Sequence, residues 1–228
     1  MYMRIGENNW WCSASLINSQ WGLTAAHCTG KATEVVLGDF IRPEVDGSEQ
    51  VIPIEEEINH PDYYRPDFDH DIALIKLAYP ANLSSDAVAT IAPLKSKKYM
   101  KQMLDNKKSC RVLGWGDRYE GNVHYEYSNR LQETRMEFVN ASYPSAADVY
   151  RTAGMMPVTA VYTDKCSRNR GGPCAGDSGA PLVCKRKGKW VQTGVFSFFY
   201  LVDGCMQWTK GVTNVQQHYS WIESIIGQ

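Results

Sequence analysis

Ser178 lies in Gly176-Asp177-Ser178-Gly179, among residues that permit a sharply turned, exposed backbone. Such a turn can present a hydroxyl and aim backbone N–H groups at the same point. A serine hydroxyl alone is a poor nucleophile. It needs a base to take its proton and a third group to orient that base. His27, in Ala25-Ala26-His27-Cys28, is the candidate base, because imidazole titrates near neutral pH and can act as base and then acid. Asp71, in Asp69-His70-Asp71-Ile72-Ala73-Leu74-Ile75, is the candidate orienter, with Asp67 and Asp69 as competitors. The chemistry of this set is acyl transfer through a covalent serine intermediate. An α/β-hydrolase is excluded by order, since there the acid follows the nucleophile and the histidine comes last. His60, His70, His124 and His218 read as packed or surface residues.

The elements that must position these residues are short β-type runs broken by Gly, Pro, Asn and Asp. Residues 35–37, 51–54, 72–75, 111–113, 181–183 and 191–196 fit strands. Val215, Tyr219, Ile222, Ile225 and Ile226 recur at helical spacing, which predicts an amphipathic terminal helix over 215–226. Many short strands with one terminal helix predict an all-β chain built of barrels. The chain has 228 residues, 43% of them hydrophobic, and a formal charge of -1. That balance gives no steering toward nucleic acid. No apolar run approaches membrane-spanning length, and Met1 to Gly6 lacks the apolar stretch of a signal peptide. Seven cysteines suggest an oxidising compartment, and no spacing among them reads as a zinc site. Residues 93–109 carry six lysines (95, 97, 98, 101, 107 and 108) against one acid, Asp105. They read as a solvated linker or as a patch for polyanions such as heparin.

The order His27, Asp71, Ser178 is that of the chymotrypsin type. The chain resembles the chymotrypsin-like (trypsin-fold) serine proteases over nearly its whole length. The resemblance rests on Thr24-Ala25-Ala26-His27-Cys28, His60-Pro61, Asp71 to Leu77, Gly114-Trp115-Gly116, Gly176 to Cys184, and Tyr219-Ser220-Trp221-Ile222. It implies two six-stranded antiparallel β-barrels with a C-terminal α-helix and the site between the barrels. The first barrel would occupy 1–92, the linker 93–109, the second barrel 110–214 and the helix 215–228. It implies a serine endopeptidase with an oxyanion hole made by the N–H groups of Gly176 and Ser178. Asp71 is favoured over its competitors because it directly precedes the apolar strand. Disulfides Cys12–Cys28, Cys110–Cys184 and Cys174–Cys205 are implied, leaving Cys166 free or paired outside the chain. A monomeric, secreted glycoprotein made as a zymogen is the expectation, and Asn82-Leu83-Ser84 and Asn140-Ala141-Ser142 fit the glycosylation pattern. Its partners would be protein or peptide substrates, an activating protease and protein inhibitors. No cofactor is required, although a structural calcium ion is a possibility at Asp39, Asp46 and Glu49 with the carbonyls of Ile41 and Glu44. The other reading of that stretch is an acidic surface loop.

Specificity departs from the trypsin pattern. Six residues before the nucleophile stands Gly172, not aspartate; Pro173 follows, and Gly211 takes another basal position. A buried Lys or Arg would lack a partner there, so an uncharged, apolar side chain on the acyl side is expected. Ser197-Phe198-Phe199 resembles the strand that pairs with substrate backbone, with Phe199 at the pocket mouth. Asp203, if turned inward, would restore a basic preference. In the family, a freed N-terminal amine pairs with the aspartate before the nucleophile, here Asp177. The opening residues match the family only partway into the first strand, so the activating segment and the start of the first barrel are expected to lie outside this sequence. The chain then reads as a fragment, as part of a longer polypeptide, or as a product that begins at Met1 with little activity. In the last case it would be a binding module, with polyanions as the ligand class.

Overall fold

Alternation of apolar and polar residues forms short strands, and their apolar faces must be covered. The computed structural model describes residues 1–5, 9–66, 68–105, 109–117, 127–139, 160–165, 173–199 and 209–227. The first half holds β1 (Tyr2–Ile5), β2 (Asn9–Ser13), β3 (Ser15–Leu16), β4 (Trp21–Thr24), β5 (Glu34–Leu37), β6 (Gln50–Asn59) and β7 (Ala73–Leu77). They form one antiparallel sheet in the order β2-β1-β5-β6-β7-β4-β3. Its two edges, β2 and β3, are consecutive in the chain and separated by Ala14 alone. The sheet therefore curls round until its edges meet through one residue, a ring of six strands when β2 and β3 count as one.

The second half holds β8 (Ser109–Gly114), β9 (Gln132–Val139), β10 (Ala160–Lys165), β11 (Pro181–Arg186), β12 (Lys189–Phe199) and β13 (Thr209–Asn214). These close into a barrel in the order β10-β13-β12-β11-β8-β9. Two antiparallel β assemblies and a C-terminal helix agree with the expected fold class. Each assembly has its own core. Leu23, Val35, Ile52, Leu74 and Leu77 fill the first; Val112, Met136, Phe138, Leu182 and Phe196 fill the second.

Two helices differ from the sequence reading. The lysine-rich stretch carries α1 (Lys97–Asp105), which buries Met100 and Met103 in the second core. The terminal helix, α2 (Tyr219–Ile226), starts at 219 and not at 215. Before it, Asn214 and Val215 accept from the amides of Gln217 and His218 in successive tight turns. Ile222 is fully buried, and it packs with Val195 and Val215 into the core of the first half.

The halves are also joined by hydrogen bonds. Ser13 N–H donates to the Ser178 carbonyl at 2.7 Å, and Ser15 Oγ donates to Gln192 Oε1 at 2.7 Å. Leu131 N–H reaches the Phe40 carbonyl at 2.9 Å, and Arg42 Nη2 reaches the Ser128 carbonyl at 2.8 Å.

Candidate active site

His27 sits on a short 3-10 turn, Ala26–Cys28, directly after β4. Ala25 and Ala26 are small because this turn is packed inside, and the Cys12–Cys28 disulfide ties it to β2. Asp71 precedes β7 in a tight turn in which Ile72 N–H donates to the His70 carbonyl at 2.7 Å. Its carboxylate is 0% exposed. A buried charge needs donors, and three surround it. His27 gives its backbone N–H to Oδ1 at 2.9 Å and its ring Nδ1 lies 2.7 Å from Oδ2. Ser197 Oγ also donates to Oδ2. A carboxylate only accepts here, so Nδ1 carries the hydrogen and Nε2 keeps its lone pair. Asp69 is otherwise engaged, accepting the His70 amide at 3.0 Å, and Asp67 lies outside the described residues.

Ser197, with Phe198 and Phe199, was expected on the strand that pairs with substrate backbone and borders the specificity pocket. Its hydroxyl meets Asp71, because β12 bulges there: Phe196 pairs with Val212 and Phe198 with the next residue, Gly211. A bulge re-aims the side chain of the extra residue. Thr213 Oγ1 adds a bond of 2.8 Å to the Asp71 carbonyl. Neither contact was read from the sequence. A fully buried serine in an apolar strand was the available signal, since such a hydroxyl needs a partner.

Ser178 is half-buried at the end of a turn. Asp177 N–H donates to the Cys174 carbonyl at 2.9 Å, and Gly176, third in that turn, has φ 90°. That left-handed value favours glycine. Gly179, at φ 80°, touches β2 and β4 so closely that a Cβ would collide with the Ser13 carbonyl and Thr24 Oγ1. Among the described residues, the N–H groups of Gly176 and Ser178 donate to nothing in the protein. Unspent amides beside a serine are the kind of donor that a developing oxyanion needs. No hydrogen bond joins Ser178 Oγ to His27 among the described residues, and such bonds are often long before substrate arrives. Asp177 is 7% exposed, and its carboxylate accepts the amides of Gly116 at 2.8 Å and Cys174 at 2.9 Å.

The remaining expected residues separate. Pro173 is buried beside the turn, and Gly211 pairs with Phe198 and Tyr162 in the barrel. Gly172, Cys166, Asp203 and Cys205 lie outside the described residues, as do the side chains of Phe198 and Phe199. Cys110–Cys184 is formed; Cys174 is disulfide-bonded, but its expected partner Cys205 is among those undescribed. In the loop read for calcium, Glu49 accepts the amides of Asp46 and Gly47, Asp46 accepts that of Ser48, and the Ile41 carbonyl accepts Glu44 N–H. Asp39, Asp46 and Glu49 do not gather as a three-ligand group among the described residues. On α1, Lys101 pairs with Asp105, and nearby Lys95 pairs with Glu223.

Two neighbours of Asp71 are electrostatically shifted. Burial, with help from the Asp71 charge, pushes the Tyr63 hydroxyl up to about 12. Burial pushes the His218 imidazole down to about 4, outweighing its bond to the Asn214 carbonyl.

Comparison with known proteins agrees with this geometry. The family model described as Trypsin matches residues 1–222. Cationic trypsin-3 of Rattus norvegicus is 34% identical, over 94% of this chain and 79% of its own length. Trypsin of Sus scrofa is 32% identical over 97% and 88%, and chymotrypsin-like elastase family member 1 of Homo sapiens 30% over 94% and 81%. The chain belongs to the trypsin family and is a serine endopeptidase.

Proposed function

We propose that the protein cleaves peptide bonds through an acyl-enzyme on Ser178. His27 Nε2 takes the Ser178 proton as the hydroxyl attacks the scissile carbonyl. The same proton passes to the leaving amine. Water then attacks the ester by the reverse sequence. Asp71 holds the ring tautomer and favours the charged imidazole of the transition state. The amides of Gly176 and Ser178 take the oxyanion, a term worth about 10²–10³ in rate per donor. The carrying observation is the fully buried Asp71 bonded to both the backbone and Nδ1 of His27, which leaves Nε2 basic.

Preference for an uncharged, apolar side chain on the acyl side extends this reading. Its support is chemical: Gly172 stands where a basic preference needs a carboxylate, and Pro173 and Gly211 add none. Secretion and activation by a freed amine that pairs with Asp177 complete the proposal. A calcium ion in the 39–49 loop would have to share carboxylates that now hold the loop's own amides; a rise in Tm with calcium after EDTA checks it.

The test is labelling of Ser178 by a fluorophosphonate, read by intact mass, on this chain and on a form extended to a free activating N-terminus. Labelling of either form is expected and supports the enzyme. Labelling of the extended form alone assigns the activating role to Asp177. Labelling of neither, with the fold intact, defeats the proposal. An ester panel decides preference: Arg or Lys esters cleaved faster than Ala, Val, Leu or Phe esters would overturn the apolar reading.

A further inference from the structure

Three imidazoles meet beside Asp71 at a place the reaction does not use. His60 follows β6, His70 precedes Asp71 and His218 precedes α2. One nitrogen from each ring lies within 4.8 Å of the others. His70 Nδ1 stands 3.1 Å from His218 Nε2. His218 Nδ1 is 2.8 Å from the Asn214 carbonyl. A carbonyl only accepts, so Nδ1 carries the hydrogen and the Nε2 lone pair faces His70. The ring is 3% exposed, held on its far side by backbone. A histidine fixed in this way, with one nitrogen tied to a carbonyl and the other aimed at a second imidazole, has the orientation seen in metal ligands.

We propose that His60, His70 and His218 form a site for one divalent transition-metal ion of the zinc class. Tetrahedral zinc with nitrogen bonds of about 2.0–2.1 Å puts neighbouring ligand nitrogens roughly 3.3 Å apart. The 3.1 Å between His70 and His218 is close to that spacing. The ion would replace the proton that the two rings now share. His60 needs the larger movement. Its ring stacks on His70, with centroids 4.5 Å apart and planes 15° from parallel. Stacked rings cannot both point a lone pair in-plane at one ion, so His60 must turn out of the stack. It is half-buried just after β6, its Nδ1 accepts the Asp62 amide at 3.2 Å and the Trp221 ring lies 5.0 Å away, so the turn exchanges those contacts for the ion. Water takes the fourth position. Cys12, His27 and Cys28 form the other group of potential ligands among the described residues, but its two cysteines are spent in a disulfide.

The site encloses the backbone of Asp71. His60 N–H donates to the Ile72 carbonyl at 3.0 Å, and His218 hangs from Asn214, next to the Thr213 that holds the Asp71 carbonyl. An ion here ties β6, β7 and β13 together around the residue that orients His27.

The test is titration of the full chain with Zn²⁺ by calorimetry, and with Co²⁺ by the visible band of a nitrogen-ligated ion. One ion per chain is expected. His70→Asn and His218→Asn should each weaken binding by roughly tenfold or more, the loss typical when a metal site is disturbed. His60→Ala, at a half-buried position that tolerates change, provides the same reading if the buried variants fail to fold. His27→Ala should leave the affinity unchanged. Binding lost in His27→Ala but kept in His60→Ala would overturn the proposal. So would the lack of a bound ion at micromolar zinc, which would make the three rings a packing cluster only.

Discussion

Removing the Ser197 hydroxyl would take away one of the three donors on the Asp71 carboxylate. A hydrogen bond to a charged group contributes about 1.5–3 kcal/mol, or roughly 10–100-fold in rate if it is felt in the transition state. Ser197→Ala should therefore lower kcat by about that factor with KM nearly constant. Steady-state kinetics on an apolar ester would show it. A raised KM with constant kcat would return Ser197 to the substrate pocket where the sequence placed it. Tyr63 gives a pH test. Its folded hydroxyl is raised from 10.0 to about 12, so the neutral form is favoured in the folded chain. Between those values the unfolded chain binds fewer protons than the native one, so stability falls as pH rises. This contribution is fully present below pH 10 and is lost on the way to 12. Denaturation at stepped alkaline pH should show a shallower decline for Tyr63→Phe. The triad residues could be read from flanking motifs alone. Ser197 could not, because its role comes from a bulge, and a bulge breaks the alternation from which strand faces are inferred.

Gly114, at the end of β8, and Gly116 just beyond it have no side chain because the Asp177 carboxylate occupies that space. A Cβ at Gly116 would overlap the carboxylate that accepts from the Gly116 and Cys174 amides. Gly116→Ala should displace Asp177 and disturb the Cys174–Asp177 turn that carries the Gly176 amide. The expected cost is about 2–4 kcal/mol from strain and a buried carboxylate that loses its donors. Fluorophosphonate labelling should slow with it, and thermal unfolding together with labelling kinetics measures both. The strands that were legible were those with continuous apolar runs, such as β7 and β11. β9 was missed although Met136 and Phe138 alternate inward, because Gln132, Glu133 and Arg135 dominate its composition. α1 was missed for the same reason: its lysines suggested a linker, and only Met100 and Met103, three apart, marked a buried face.

Across the whole molecule, the two halves share more than an interface. Val195 from β12, Val215 from the turns before α2, and Ile222 from α2 itself complete the core of the first half. Truncating Ile222 should be felt everywhere. Ile222→Ala is expected to cost about 2–5 kcal/mol, and the protein should still unfold in a single calorimetric transition. Two separated transitions would mean that the halves melt independently. This interlock was invisible in the sequence, where the helix was legible as amphipathic but not the sheet it covers.

The late residues in the first core also set an order in time. A chain emerging from the ribosome presents His27 and Asp71 long before Ser178, and the strand ring of the first half lacks the core contacts of Val195, Val215 and Ile222 until those residues arrive. Domains generally fold as units, the N-terminal one first during synthesis. Here three residues of the first core come from the second half of the chain, whereas the ring that they cover comes from the first. The groups around Asp71 are likewise drawn from both ends: His27 comes early, and Ser197 and Thr213 come late. A nascent chain that has not reached Ser197 therefore holds His27 and Asp71 without the hydroxyls that fix Asp71.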